Sequence, residues 1–274
     1  MVNYYLQKGY LSMHYKLFDL GGLPVYTYGF CIAIGILAAF FVADRRGKKL
    51  GIDVSCLDSF TLWILIGGFA GSKLLYWLTR FQDILKDPSI LMNLSDGWVV
   101  YGGILGGIAA GYIFCRIKKL NFWQFFDLVI PEVALAQGFG RLGCLFAGCC
   151  YGLEVHDHAW YGMVFPESGL APAGVPLFPT QLLSSIYDFA LFFVLIWLAK
   201  KKKFDGELAG WYLIMYSFGR FIIEFFRGDL VRGGAMGLST SQIISIFTLI
   251  GGILILVIGR KMIQKKQNHS STVQ

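Results

Sequence analysis

Charge is scarce in this chain. Lys, Arg, Asp and Glu make up 15% of the 274 residues, against 56% hydrophobic residues and a mean hydropathy of +0.60. That scarcity excludes an ordinary soluble domain and fits a polytopic membrane protein. Acid is the scarcer sign, with 17 acidic residues against 24 basic ones and a net charge of +7. Cysteine is also sparse. Six scattered residues do not make a disulfide framework, and Cys31, Cys56 and Cys115, in or beside apolar runs, read as small core residues. The first 20 residues are polar and aromatic and lack the apolar centre of a cleavable signal peptide, so the first span is expected to serve as the insertion signal. Finally, Gly138-x-Gly140-x-x-Gly143 has no strand before it and no βαβ unit around it, which excludes a dinucleotide fingerprint.

What is present is a series of long apolar runs. Spans are expected near Val25–Ala43, Leu57–Leu78, Trp98–Phe114, Phe122–Phe146, Gln181–Ala199, Leu208–Phe226 and Ile243–Ile258. The expected fold is therefore all-α, a polytopic membrane helix bundle of about seven transmembrane helices. One transmembrane domain would cover residues 1–262, and a polar, unstructured tail residues 263–274. Residues 1–22 read as an amphipathic or irregular lead-in. Residues 79–97 read as a polar loop with a turn at Ser95-Asp96-Gly97. In the third span, glycines spaced by four permit close helix contact. Pro131 is expected to kink the fourth span.

The basic residues give the orientation. The segments 44–50, 116–119, 200–203 and 260–266 lie on one side if the loops alternate, and hold 15 of the 24 Lys and Arg. The positive-inside rule makes that side cytoplasmic, with the N-terminus outside and the C-terminus inside. This accounts for most of the basic charge without nucleic acid. Lys8, Lys16, Lys73, Arg80, Lys86, Arg141, Arg220, Arg227 and Arg232 remain, all toward the outer half, where few are expected. An anionic ligand at the outer leaflet would explain them.

Chemistry concentrates in residues 137–152, where five glycines, Arg141 and three cysteines lie together at membrane depth. An arginine there costs roughly 3 kcal/mol or more unless partnered or hydrated, which suggests a lipid-facing polar pocket; the plainer reading is a helix-end cap. Arg220, Glu224 and Arg227, at i, i+4 and i+7, share a helix face. Arg220 and Glu224 could simply neutralise each other. With Arg141, the arginines could instead bind phosphate bidentately. Lys73 is either a pocket residue or a snorkelling one. Tyr28 and Tyr101 read alone as structural tyrosines, and Gln181 as a helix start or a site edge. Cys144, Cys149, Cys150, His156 and His158 follow C-x4-C-C-x5-H-x-H, which is no recognised zinc pattern. Buried inert thiols come first, then a disulfide or redox-active thiol, and metal last.

In order along the chain, these motifs resemble the prolipoprotein diacylglyceryl transferases of bacterial plasma membranes. Tyr28-Gly29 is similar to the family's aromatic-glycine pair. Gly71-Ser72-Lys73-x-x-Tyr76 resembles its Gly-Ala-Arg-x-x-Tyr, and Tyr101-Gly102-Gly103-Ile104-Leu105-Gly106 its His-Gly-Gly-x-x-Gly. Gly140-Arg141-Leu142-Gly143-Cys144-x-x-x-Gly148-Cys149-x-x-Gly152 resembles the signature Gly-Arg-x-Gly-Asn-x-x-Asn-Gly-Glu-x-x-Gly. Phe178-Pro179-Thr180-Gln181-Leu182 resembles His-Pro-Ser-Gln-Leu, and Arg220-Phe221-x-x-Glu224-Phe225-x-Arg227 resembles Arg-Phe-x-x-Glu-x-x-Arg. Tyr101, Cys144 and Cys149 stand where the family has His, Asn and Glu.

The resemblance implies a multi-pass enzyme of the plasma membrane with its site toward the outer leaflet. Phosphatidylglycerol would give its diacylglyceryl group to the lipobox cysteine thiol of a secreted prolipoprotein precursor, and glycerol phosphate would leave. The implied catalytic residues are Tyr101, Arg141, Arg220 and Glu224. The implied substrate-binding residues are Tyr28, Lys73, Arg141, Gly143, Cys144, Cys149, Gln181, Arg220 and Arg227. Arginines would stabilise the leaving phosphate. A Tyr101 phenolate near Arg141, or the arginine field itself, would help deprotonate the thiol. No cofactor, metal or nucleotide is required. The three substitutions leave two alternatives: a transferase of the same fold with another acceptor, and a non-catalytic lipid-binding membrane protein.

Overall fold

The computed structural model describes residues 15–93, 97–156, 159–166, 170–229, 234–235 and 237–272. It is all-α apart from short hairpins, and six of its helices are long and apolar enough to cross a membrane. The chain divides into two compact units, residues 44–125 on one side and residues up to 43 together with 126 onward on the other.

The larger unit opens with a hairpin, β1 (Lys16–Leu20) and β2 (Leu23–Tyr26), where an irregular lead-in is expected. Gly21 and Gly22, both at positive φ, make the two-residue turn that such hairpins need. Helix α1 (Thr27–Lys49) follows. It runs on through the basic cluster at 45–49, where the lysines and arginines suit a helix C-terminus.

The smaller unit pairs α2 (Leu57–Thr79) with α4 (Val100–Lys118). Between them, the polar stretch expected as a loop forms a short α3 (Phe81–Lys86) and a 3-10 turn at Pro88–Leu91. Asp87 caps that turn through the backbone N–H of Ser89. The glycine seam is as expected. A methyl group on Gly71 would stand 2.8 Å from the Gly106 Cα, and one on Gly106 would stand 2.9 Å from the Gly71 Cα. Backbones this close allow no side chain between them.

The larger unit resumes along α5 (Phe122–Ala147), which contains Pro131 without a break in the helix. A small hairpin follows, β3 (Met163–Val164) with β4 (Pro176–Leu177). Then come α6 (Thr180–Ala199), α7 (Glu207–Glu224), the hairpin β5 (Gly234–Ala235) with β6 (Leu238–Ser239), and α8 (Thr240–Thr272). Ile130 and Ala134 of α5, Leu191, Phe192 and Leu195 of α6, and Leu208 and Tyr212 of α7 form its core. The tail expected to be unstructured continues α8 as helix through Thr272. Its Lys and Gln residues are good helix formers and no proline or glycine interrupts them.

Buried Asp127 of α5 is a structural acid. Its carboxylate accepts from the backbone N–H groups of Gly206 (2.8 Å) and Ala209 (3.1 Å) and pairs with Lys202 at 3.2 Å. It thus caps the start of α7 from a neighbouring helix, where the helix dipole favours an anion.

Three changes test these contacts. Gly106→Leu should cost roughly 1–3 kcal/mol by overpacking and lower the unfolding midpoint in detergent. Gly68→Ala should leave that midpoint unchanged, since its methyl meets the Gly103 carbonyl oxygen only at 3.5 Å. Asp127→Asn removes a buried charge from Lys202 and weakens the α7 cap, for an expected loss of about 1–3 kcal/mol. Equal midpoints for Gly106→Leu and Gly68→Ala would contradict the seam, and an unchanged midpoint in Asp127→Asn would contradict the cap.

Candidate active site

In the larger unit, the segment after α5 is bonded to two others. The Gly152 N–H donates to the Phe178 carbonyl (3.0 Å), and the Phe178 N–H donates to the Leu153 carbonyl (2.8 Å). On the other side, the Leu153 N–H donates to the Phe226 carbonyl (2.9 Å) and the Gly228 N–H to the Tyr151 carbonyl (3.1 Å). Gly152 is required here: a methyl group would stand 2.8 Å from both the Phe226 oxygen and the Phe178 Cβ. This short ladder brings together the cysteines after α5, the start of α6 and the end of α7. Two α6 side chains add to it. Thr180 Oγ1 donates to the Cys150 carbonyl (2.7 Å) and Gln181 Nε2 to the Cys149 carbonyl (2.9 Å).

One helical turn deeper, Arg141 of α5, Ser184, Tyr187 and Asp188 of α6, and Tyr216, Arg220 and Ile223 of α7 line a narrow cavity. Asp188 is only 2% exposed. Arg220 is held by Glu224 (2.7 Å) and donates to Ser241 Oγ (3.1 Å). Glu224 in turn accepts from Ser239 Oγ (3.0 Å) and lies 3.6 Å from Arg227. The Arg227 fork is filled by the Asp229 carboxylate, with contacts of 3.0 and 2.9 Å. The helical Arg220–Glu224 pair expected from the spacing is therefore present, within a wider network.

Arg141 differs from the other two arginines. Among the described residues it makes no ion pair and no hydrogen bond, although Asp188 and Arg220 share its cavity. Its guanidinium, among the residues that line the cavity, is not spent on a protein partner.

Tyr28 and Gly143 meet at the start of α1. A methyl group on Gly143 would stand 3.1 Å from the Tyr28 carbonyl oxygen and 3.3 Å from the Cys31 Cβ, so glycine lets α5 approach α1. The thiol sulfurs of Cys144, Cys149 and Cys150 all lie within 4.8 Å of one another, and none forms a disulfide. Beyond the helix end, the Cys150 thiol is held well below the usual thiol range. The cause is first hydrogen bonding from the Cys144 and Cys149 thiols, then the charges of Arg227 and Arg141. Exposed His156 is not part of this cluster. His158 and Arg232 lie outside the described residues.

The larger unit thus joins Tyr28, Arg141, Gly143, Cys144, Cys149, Gln181, Arg220, Glu224 and Arg227. Lys73 and Tyr101 belong to the smaller unit. Lys73 is 5% exposed; its ammonium donates to the Asn93 carbonyl (2.6 Å) and lies about 5 Å from the rings of Tyr76 and Trp98. It is buried beside two aromatic rings, with its ammonium bonded to the polar connection that follows α2. Tyr101 is partly buried in the first turn of α4. The Val99 N–H donates to the Ser72 carbonyl and Ser72 Oγ to the Val99 carbonyl, which fixes that turn against α2. Sequence reasoning passed over Asp188. A single acid within the apolar run of α6 was the available signal.

The family description "Prolipoprotein diacylglyceryl transferase" matches residues 15–258. A phosphatidylglycerol–prolipoprotein diacylglyceryl transferase 2 of Clostridium perfringens is 47% identical over 245 residues, covering 89% of this chain and 94% of the relative. A Clostridium tetani protein of the corresponding name is 46% identical, over 89% of this chain and 97% of its own length. A third, from Clostridioides difficile, is 32% identical over 86% and 92%. With the fold, the arginine cavity and matches of this extent, the chain belongs to the prolipoprotein diacylglyceryl transferase family.

Proposed function

We propose that this protein transfers the diacylglyceryl group of phosphatidylglycerol to the cysteine thiol of secreted prolipoprotein precursors. The observation that carries this reading is Arg141, whose guanidinium stands beside Arg220 in a membrane-depth cavity with its donors unspent. The names of the relatives agree with it. A lipid phosphate takes two guanidinium donors at once, and Arg220, steadied by Glu224, adds a second cation.

The chemistry follows from that placement. The acceptor thiolate attacks the phosphate-bearing carbon of the lipid's diacylglyceryl group. The carbon–oxygen bond breaks, its electron pair leaves on the phosphate of glycerol phosphate, and a thioether forms. Negative charge grows on the departing phosphate oxygen, where Arg141 and Arg220 stabilise the transition state more than the ground state. Glu224 positions Arg220, and the Asp229-held Arg227 marks the rim of the site.

In the topology we propose, α7 is a seventh span. Its 18 residues reach about 27 Å, and it falls short of a span by composition because it carries Glu207, Arg220 and Glu224. Seven crossings and the distribution of basic residues support an outside N-terminus, a cytoplasmic C-terminus and a site toward the outer leaflet.

The test is complementation in a strain depleted of its own transferase, reading the mass of a reporter lipoprotein. Wild-type protein should add a diacylglyceryl mass to the reporter cysteine. Arg141→Ala should lower the rate about 10²- to 10³-fold, with insertion and folding retained. An unmodified reporter beside inserted, folded wild-type protein would refute the assignment.

A further inference from the structure

Adjacent residues of an extended chain point their side chains to opposite faces, yet Cys149 and Cys150 direct their sulfurs to one place together with Cys144. The backbone makes this possible. Gly148 and Cys150 both take left-handed conformations, at φ 69° and 61°, and Cys150 does so without being glycine. The conformation is held by bonds to the backbone. The Cys149 N–H donates to the Cys144 carbonyl (3.1 Å), and Thr180 and Gln181 bind the carbonyls of Cys150 and Cys149. Strain retained in this way, beside a cavity that holds Arg141, is characteristic of a functional site.

Three thiols at this separation suit a soft cation. Sulfurs around a tetrahedral zinc, with Zn–S bonds of about 2.3 Å, stand roughly 3.8 Å apart, a small side-chain adjustment from the 4.8 Å limit seen here. No His, Asp or Glu among the described residues joins the trio. Three protein ligands with the fourth position open is the arrangement of a catalytic zinc rather than a structural one. Three thiolates and one dication carry a single net negative charge, which the arginines on the flanking segments offset.

We propose that Cys144, Cys149 and Cys150 hold a zinc-class dication whose open position binds the incoming acceptor thiol. This second step rests on the transferase reading above. On binding the cation, the acceptor thiol gives its proton to solvent. The bound thiolate then uses a sulfur lone pair to form the carbon–sulfur bond as the carbon–oxygen bond of the lipid breaks toward the phosphate. Nothing is oxidised or reduced. The thioether product is a weaker ligand and leaves. Cys144 and Cys149, two of the chain's departures from the family signature, then have one common purpose.

The test uses the whole protein, purified anaerobically in detergent. Elemental analysis should find about one zinc per chain. Cys144→Ser and Cys149→Ser should fall to background, and Cys56→Ser should keep its metal. After zinc is replaced by cobalt(II), a sulfur-to-cobalt charge-transfer band should appear. It should strengthen with a lipobox peptide containing cysteine and not with the serine version. The proposal is overturned if stripped, still folded wild-type protein takes up neither metal, if both serine variants keep it, or if the cobalt band ignores the cysteine peptide. Lipid transfer at full rate in metal-free protein would also overturn it and leave the transferase standing. Metal binding and a peptide response without any lipid transfer would uphold the site and reject the transferase.

Discussion

A guanidinium withdrawn from solvent must find counter-charge, water or a ligand, and the larger unit is arranged around three of them. Arg227 is satisfied by Asp229, and Arg220 by Glu224 and Ser241. Glu224 links the two and is itself held by Ser239. These bonds consume most of the available acid. Arg141 shares its cavity with Asp188 but is left without a contact pair among the described residues. In the proposed transferase reading, an anionic substrate group completes that electrostatic arrangement. The site therefore combines two arginines held by acidic partners with a third, Arg141, whose guanidinium makes no ion pair or hydrogen bond among the described residues.

That arrangement depends on backbone as much as on charge. The cysteine segment, the start of α6 and the end of α7 are far apart in sequence, and a few N–H to carbonyl bonds through Tyr151, Gly152 and Leu153 fasten them together. Glycine at 152 is what lets the strands meet. Helices α5 and α7 supply Arg141 and Arg220 to one cavity, and the ladder sets where Arg227 and the thiols stand. Rigid placement of this kind is how an active site avoids reorganising as charge develops.

The helices were largely legible in the sequence, because an apolar run of about 20 residues has few other readings. The ends of α2, α5 and α6 fall within one or two residues of expectation. Local chemistry without long runs was harder to read. The hairpin at 16–26 depends on two consecutive glycines, and the helical tail on propensity alone. In the site, the i, i+4 spacing revealed the Arg220–Glu224 pair. Asp188 escaped notice for lack of a motif partner. The thiol cluster was judged by linear spacing, together with two histidines. Spacing cannot show a left-handed Cys150, which is the feature that gathers the three sulfurs. Lys73 was balanced between two readings until the Asn93 carbonyl and two aromatic rings decided its surroundings.

The most direct measurement of the central claim is lipid selectivity in binding. Purified protein can be titrated with phosphatidylglycerol and with phosphatidylethanolamine, reading the shift in unfolding midpoint for wild type and for Arg141→Gln. Phosphatidylglycerol should give the larger shift, and Arg141→Gln should lose it while the lipid-free midpoint is unchanged. An equal response to both lipids, or an undiminished phosphatidylglycerol shift in Arg141→Gln, would contradict that claim.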